Sequence, residues 1–224
     1  MKSDRLAPLA IPVLLLLAQC SPVAPPTARG SAHFRTIKPT DAEPGTECTD
    51  SYGGIGNPPP EPPIVALGEA DLHREGLVVD GQTAAGATSA YNITCKVSGN
   101  GDLAIAGTLE GPNTSPYLAN KGSSTWIKIE NGVIHPDGTG SAGISFFTTA
   151  TLAVNPKEDT TCTLQAGPAP LKACSNSSCL SGEEPADAGT LALTFFCPDM
   201  NMGAAGIAAD CEADGTVVLD RCTH

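Results

Sequence analysis

The sequence predicts an all-β protein, an antiparallel β-sandwich stapled by disulfides, and three observations carry that prediction. Short segments beyond residue 67 alternate apolar and polar residues with the period of two that belongs to a half-buried strand. Gly 24 and Pro 20 interrupt the 224 residues too often for long helices and suit short strands joined by turns. Nine cysteines accompany an aromatic content of only 4%, so crosslinks must supplement a core of small aliphatic side chains.

Lys2 and Arg5 precede an apolar run from Leu6 to Ala18 that contains Leu14-Leu15-Leu16-Leu17. As a helix these 13 residues span about 20 Å, short of the roughly 30 Å hydrocarbon core, and Pro8 and Pro12 lie inside the run. Residues 1–19 therefore read as a signal peptide rather than a membrane span. The run ends at Leu17-Ala18-Gln19-Cys20, which resembles the lipobox of bacterial lipoproteins: Leu17, Ala18 and Cys20 match, and Gln19 stands where that family has Gly, Ala or Ser. The resemblance implies that Cys20 becomes the first residue of the mature chain and carries acyl groups. A membrane is then a partner through the lipid anchor, and the chain belongs to the cell envelope, at the outer membrane. Ordinary secretion, with cleavage near Ala18 or Ala24, is the alternative.

Residues 20–66 hold ten of the 20 prolines, including Pro58-Pro59-Pro60-Glu61-Pro62-Pro63, and few large apolar residues. They read as a Pro-rich tether. In extended form these 47 residues would reach roughly 100 Å or more, although Cys48 needs a partner and should pin the part around Tyr52 to the domain surface.

Residues 67–224 read as the disulfide-rich β-sandwich. Tyr91, Ile93, Cys95 and Val97 alternate with polar residues, Asn100-Gly101 offers a hairpin turn, and Leu103, Ile105 and Leu109 alternate on the return. Ile127 and Ile129 lead to Asn131-Gly132, which predicts a second turn with Ile134 returning opposite Ile129. Further strands are expected within 76–80, 142–148, 151–154, 160–165, 190–197 and 216–222, about nine to ten in all, and only Met200–Ala209 offers a helical turn.

Setting Cys20 aside leaves an even set: Cys48, Cys95, Cys162, Cys174, Cys179, Cys197, Cys211 and Cys222. In an oxidising compartment these predict four disulfides, with Cys174–Cys179 and Cys211–Cys222 close enough in sequence to close locally. Cys95, Cys162 and Cys197 share the register of inward apolar residues, so their bridges should be buried. A metal site is disfavoured because no Cys-x-x-Cys occurs and His33, His73, His135 and His224 stand apart from every cysteine.

The net charge of −12 offers no attraction to nucleic acid. Motifs for zinc peptidases, phosphate-binding loops and dinucleotide folds are absent, and no cofactor is indicated. The nearest approach to a serine-hydrolase elbow, Thr139-Gly140-Ser141-Ala142-Gly143, has Thr where Gly is required, so Ser141 reads as a strand residue. Asp137–Gly140 and Asp210–Gly215 lack the ligand spacing of a calcium loop and read as turns.

Trp126, alternating with Lys128 and Glu130, should lie on a solvent face, with Tyr117 in the loop before it. Both are candidate binding residues for a protein or glycan partner. Together these features predict a non-enzymatic, membrane-anchored lipoprotein displaying a β-sandwich in a structural or binding role. The alternative is a secreted hydrolase or enzyme inhibitor acting through loops such as Gly111–Gly122 or Gly167–Pro185.

Overall fold

A computed structural model describes residues 27–40, 48, 51–56, 76–112, 124–148, 151–156, 161–167, 189–202 and 210–223. Among these residues every element is a strand: β1 (Arg29–Ile37), β2 (Ser51–Ile55), β3 (Val78–Val79), β4 (Asn92–Ser98), β5 (Leu103–Glu110) and β6 (Trp126–Ile134). There follow β7 (Thr139–Thr148), β8 (Thr151–Pro156), β9 (Cys162–Ala166), β10 (Leu191–Met202) and β11 (Asp210–Asp220). The protein is thus all-β, and the strand ladders are antiparallel throughout.

Hydrogen bonding runs through one sheet in the order β2-β1-β11-β10-β8-β7-β6-β5-β4, with β3 on β1 and β9 pairing both β10 and β7. The sheet curls. β4, the last strand of this path, meets the residues that follow β11: Val97 donates its N–H to the Thr223 carbonyl (2.9 Å), and Thr223 donates its own to the Cys95 carbonyl (3.0 Å). The curl brings Phe34 on β1 to Phe146 on β7, ring centroids 4.7 Å apart, although these strands are not neighbours in the sheet. Period-two burial follows from a core on one side: Ala32, Phe34 and Thr36 on β1, Ile93, Cys95 and Val97 on β4, and Leu103, Ile105 and Leu109 on β5 point inward. Leu191–Phe195 and Val217–Asp220 are buried at successive positions, so β10 and β11 are covered on both faces there.

The tether expected over residues 20–66 is corrected in its middle. Residues 29–37 form β1, which lies between β2 and β11, and residues 51–55 form β2. Phe34 and Ile55 belong to the core. The boundary at residue 67 therefore does not mark the start of the folded unit. Met200–Met202, the start of the expected helical turn, continues β10, and residues 203–209 lie outside the described residues.

The β4–β5 hairpin forms as expected, but its left-handed residues are Gly99 (φ 125°) and Gly101 (φ 117°) rather than Asn100. The second turn does not form. Asn131 and Gly132 lie inside β6, where Asn131 takes φ 50° and the pairing with β7 shifts between Glu130 and Val133. This is a β-bulge, and its physical consequence is a change of parity: the inward residues are Ile127 and Ile129 before it, Gly132 and Ile134 after it. Ile134 consequently pairs Leu103 and Gly140 instead of Ile129. Gly132 is needed because a Cβ there would stand 2.4 Å from Cγ1 of Ile105.

The chain reverses one step later. Asp137 Oδ1 accepts from the Thr139 backbone N–H (2.9 Å) and hydroxyl (2.7 Å), and Gly138 adopts φ 86°.

Candidate functional site

Six of the expected disulfide cysteines form three bridges: Cys48–Cys211, Cys95–Cys222 and Cys162–Cys197, with Cα separations of 5.5, 4.7 and 4.2 Å. All six residues are buried. The local Cys211–Cys222 closure is corrected: the two flank most of the 11-residue β11, and such a strand is about 35 Å long. Cys20, Cys174, Cys179 and Tyr117 lie outside the described residues.

Two side-chain arrays stand out on the sheet. The first lies across β1 and β11, on the face away from Phe34. Antiparallel register places Arg29 opposite Asp220, His33 opposite Thr216 and Arg35 opposite Asp214. Arg35 grips Asp214 in bidentate fashion, Nε to Oδ1 at 2.7 Å and Nη2 to Oδ2 at 2.8 Å, which raises the pKa of the guanidinium. Arg29 pairs with the buried Asp220, whose Oδ1 also accepts the Thr190 hydroxyl at 2.8 Å. The expected turn at Asp210–Gly215 is corrected: this stretch is strand, and Asp214 serves the Arg35 pair.

Between these ion pairs, His33 Nε2 and Thr216 Oγ1 are buried without a hydrogen-bond partner. Burial pushes the His33 imidazole down to about 4, against the opposing pull of Asp214. The unfolded chain therefore binds this proton more tightly, and the stability associated with neutral His33 is lost as pH falls from 6.5 toward 4. We expect a loss on the order of 2 kcal/mol, discounted for partial exposure, beginning between pH 6.5 and 5 before the carboxylates titrate. Urea midpoints at pH 7, 6 and 5 check this: His33→Gln should flatten the profile, and an unchanged slope would exclude His33 as its source.

The second array is the outward face of β4, β5, β6 and β7, and it contains Trp126. One cross-strand row reads Asn92, Glu110, Trp126, Phe147, and the next reads Thr94, Thr108, Lys128, Ser145. Trp126 is half-buried, and its ring lies nearly parallel to that of Phe147, with planes 15° apart and centroids at 6.5 Å. On its other side the Glu110 carboxylate is held by two donors, the Ser124 hydroxyl to Oε1 (2.7 Å) and the Asn92 amide to Oε2 (3.3 Å). Farther along the strands a shallow groove of about 360 Å³ opens over Ala106 and Gly107, bordered by Thr94, Lys96, Lys128, Glu130 and Thr223. Lys128 and Glu130 form an ion pair at 2.6 Å along β6 at its edge.

Glu110, Asn92, Ser124 and Phe147 escaped the sequence reading, because only pairing register shows what stands opposite Trp126. The doublet Phe146-Phe147 carried one usable signal: on a strand with one buried face, one of two adjacent rings must point outward. Ser141 is an exposed residue of β7 opposite Val133 and Thr163. His135 Nδ1 lies 3.0 Å from Asp102 Oδ1 at the exposed end of the sheet, and this hydrogen bond raises its pKa. Among the described residues no three His, Cys, Asp or Glu side chains converge as a metal site requires. Comparison with known proteins returned no match to a family model, to a curated protein or to a solved structure.

Proposed function

We propose that this chain is a non-enzymatic lipoprotein of the bacterial cell envelope, held at the outer membrane by acyl groups on Cys20, with a structural or binding role. The observation that carries the reading is the distribution of cysteines. Six are engaged in three long-range disulfides, which persist in oxidising compartments outside the cytosol. Of the three others, Cys174 and Cys179 are five residues apart and supply the fourth bridge, which leaves Cys20, the last residue of the lipobox-like tetrad, as the odd thiol.

In this reading the curled sheet provides the two facing layers of a sandwich, with the Phe34–Phe146 contact between them. The tether is short. Only eight residues, Ser21 to Ala28, separate Cys20 from Arg29, a reach of about 30 Å at full extension, so the domain rides near the membrane.

Replacing Cys20 by Ser in the full chain, expressed in a bacterium with lipoprotein processing, is expected to move the protein from the detergent phase to the aqueous phase. Unchanged partitioning would remove the anchor. Intact mass after reduction and alkylation should show eight newly alkylated thiols in the mature chain; fewer would remove the four-bridge scheme.

A further inference from the structure

We infer that the outward row Asn92–Glu110–Trp126–Phe147 is a binding site for a neutral glycan. This deepens, and rests on, the reading of the domain as a displayed binding module.

A sugar ring is amphipathic: its C–H face packs on aromatic rings while its hydroxyls point sideways and both donate and accept. The row matches that pattern in order. Trp126 and Phe147 supply two nearly parallel rings on adjacent strands, and Glu110 stands directly across from Trp126 on its other side. A carboxylate offers about four lone-pair positions. Ser124 and Asn92 occupy one on each oxygen, fix the plane of the group and leave the remaining positions for vicinal hydroxyls. From Glu110 to Phe147 the row crosses two strand intervals, about 10 Å, enough for consecutive sugar rings.

Charge selects among saccharides. Glu110 opposes a uronate or sulfate at the site, Lys128 is already paired with Glu130, and the chain as a whole carries −12. The mixed donors and acceptors of the neighbouring groove, Thr94, Thr108, Asn131 and Thr223, extend the surface along which further neutral rings would lie.

Trp126 is the only tryptophan of the chain, so its emission reports on this site alone. The oxidised full-length protein should be titrated with maltohexaose, cellohexaose and tetra-N-acetylchitotetraose, and with oligogalacturonate as the anionic counterpart. Saturable change with at least one neutral probe is expected, with none from oligogalacturonate. Glu110→Gln, which keeps shape but removes the charge, should weaken that binding about tenfold or more, as should Phe147→Ala. Thermal unfolding of each variant verifies that the fold is retained. Absence of any response to the three neutral probes, stronger binding of oligogalacturonate, or an unaltered affinity in Glu110→Gln would overturn the site. The Cys20 partitioning experiment is independent of this outcome, so loss of the anchor and loss of the glycan site are read separately.

Discussion

Joint replacement of Cys95 and Cys222 by serine is expected to lower the unfolding free energy by about 4–5 kcal/mol and the thermal midpoint by roughly 10–20 °C. The bridge spans a sequence separation of 127, so its loss returns a large loop-closure entropy to the unfolded chain. It also stands where the sheet has least alternative support. β4 meets the segment after β11 through one parallel bridge and the hydrogen bonds of Thr223, including its hydroxyl to the Cys95 carbonyl at 3.1 Å, rather than through a continuous ladder. Opening this seam exposes the inward faces of Ile93 and Val97. The Cys162–Cys197 bridge makes the internal control. Its separation is 35, and β9 and β10 are already zipped together from Leu193–Ala166 to Phe196–Thr163, so its removal should cost about 1 kcal/mol less. Urea unfolding of both double variants decides the matter. A greater loss from the Cys162–Cys197 pair would mean that the seam is held by something other than its crosslink. Amide exchange should separately show Val97 and Thr223 losing protection first in the Cys95/Cys222 variant.

The legible parts of this fold are those with one dry face and one wet face. Between Ile93 and Leu109 alternation is regular because solvent lies on one side, and both strands and their hairpin follow from it. Around Leu191–Phe195 and Val217–Asp220 both faces are buried, so alternation fades and the strands extend farther than the apolar residues suggest. Asn131-Gly132 illustrates a different limit: the same φ > 0 preference serves a hairpin turn or a bulge, and only the proximity of Ile105 and the need to return Ile134 to the core choose between them. The outward position of Trp126 was legible from Lys128 and Glu130, but the orienting of Glu110 by Asn92 and Ser124 arises from contacts 18 and 14 residues apart in sequence, which no local pattern encodes.

Phe34→Ala is expected to cost about 3–5 kcal/mol, the range for truncating a fully buried aromatic residue. The consequence is sharp because proline density had placed this residue in a tether, where its truncation would cost almost nothing. Yet Ala32, Phe34 and Thr36 alternate with His33 and Arg35 as a strand requires, and the ladder from Arg29–Asp220 to Ile37–Glu212 sets that face against the core. Phe34 is fully buried and meets Phe146 at 46° between ring planes, a tilted pair that contributes about 0.5–1.5 kcal/mol beyond burial. Tyr52, on the adjacent β2, is 52% exposed, and Tyr52→Ala should change stability by no more than about 0.5 kcal/mol. A double-mutant cycle of Phe34→Ala with Phe146→Ala isolates the contact across the curl: a coupling near zero would mean that β1 and β7 do not face one another, whatever the cost of each single change. A measured coupling of the expected size, with Tyr52→Ala silent, requires that the folded unit include β1, because a flexible segment cannot hold the Phe34 ring against that of Phe146, 112 positions away, strongly enough to be measured.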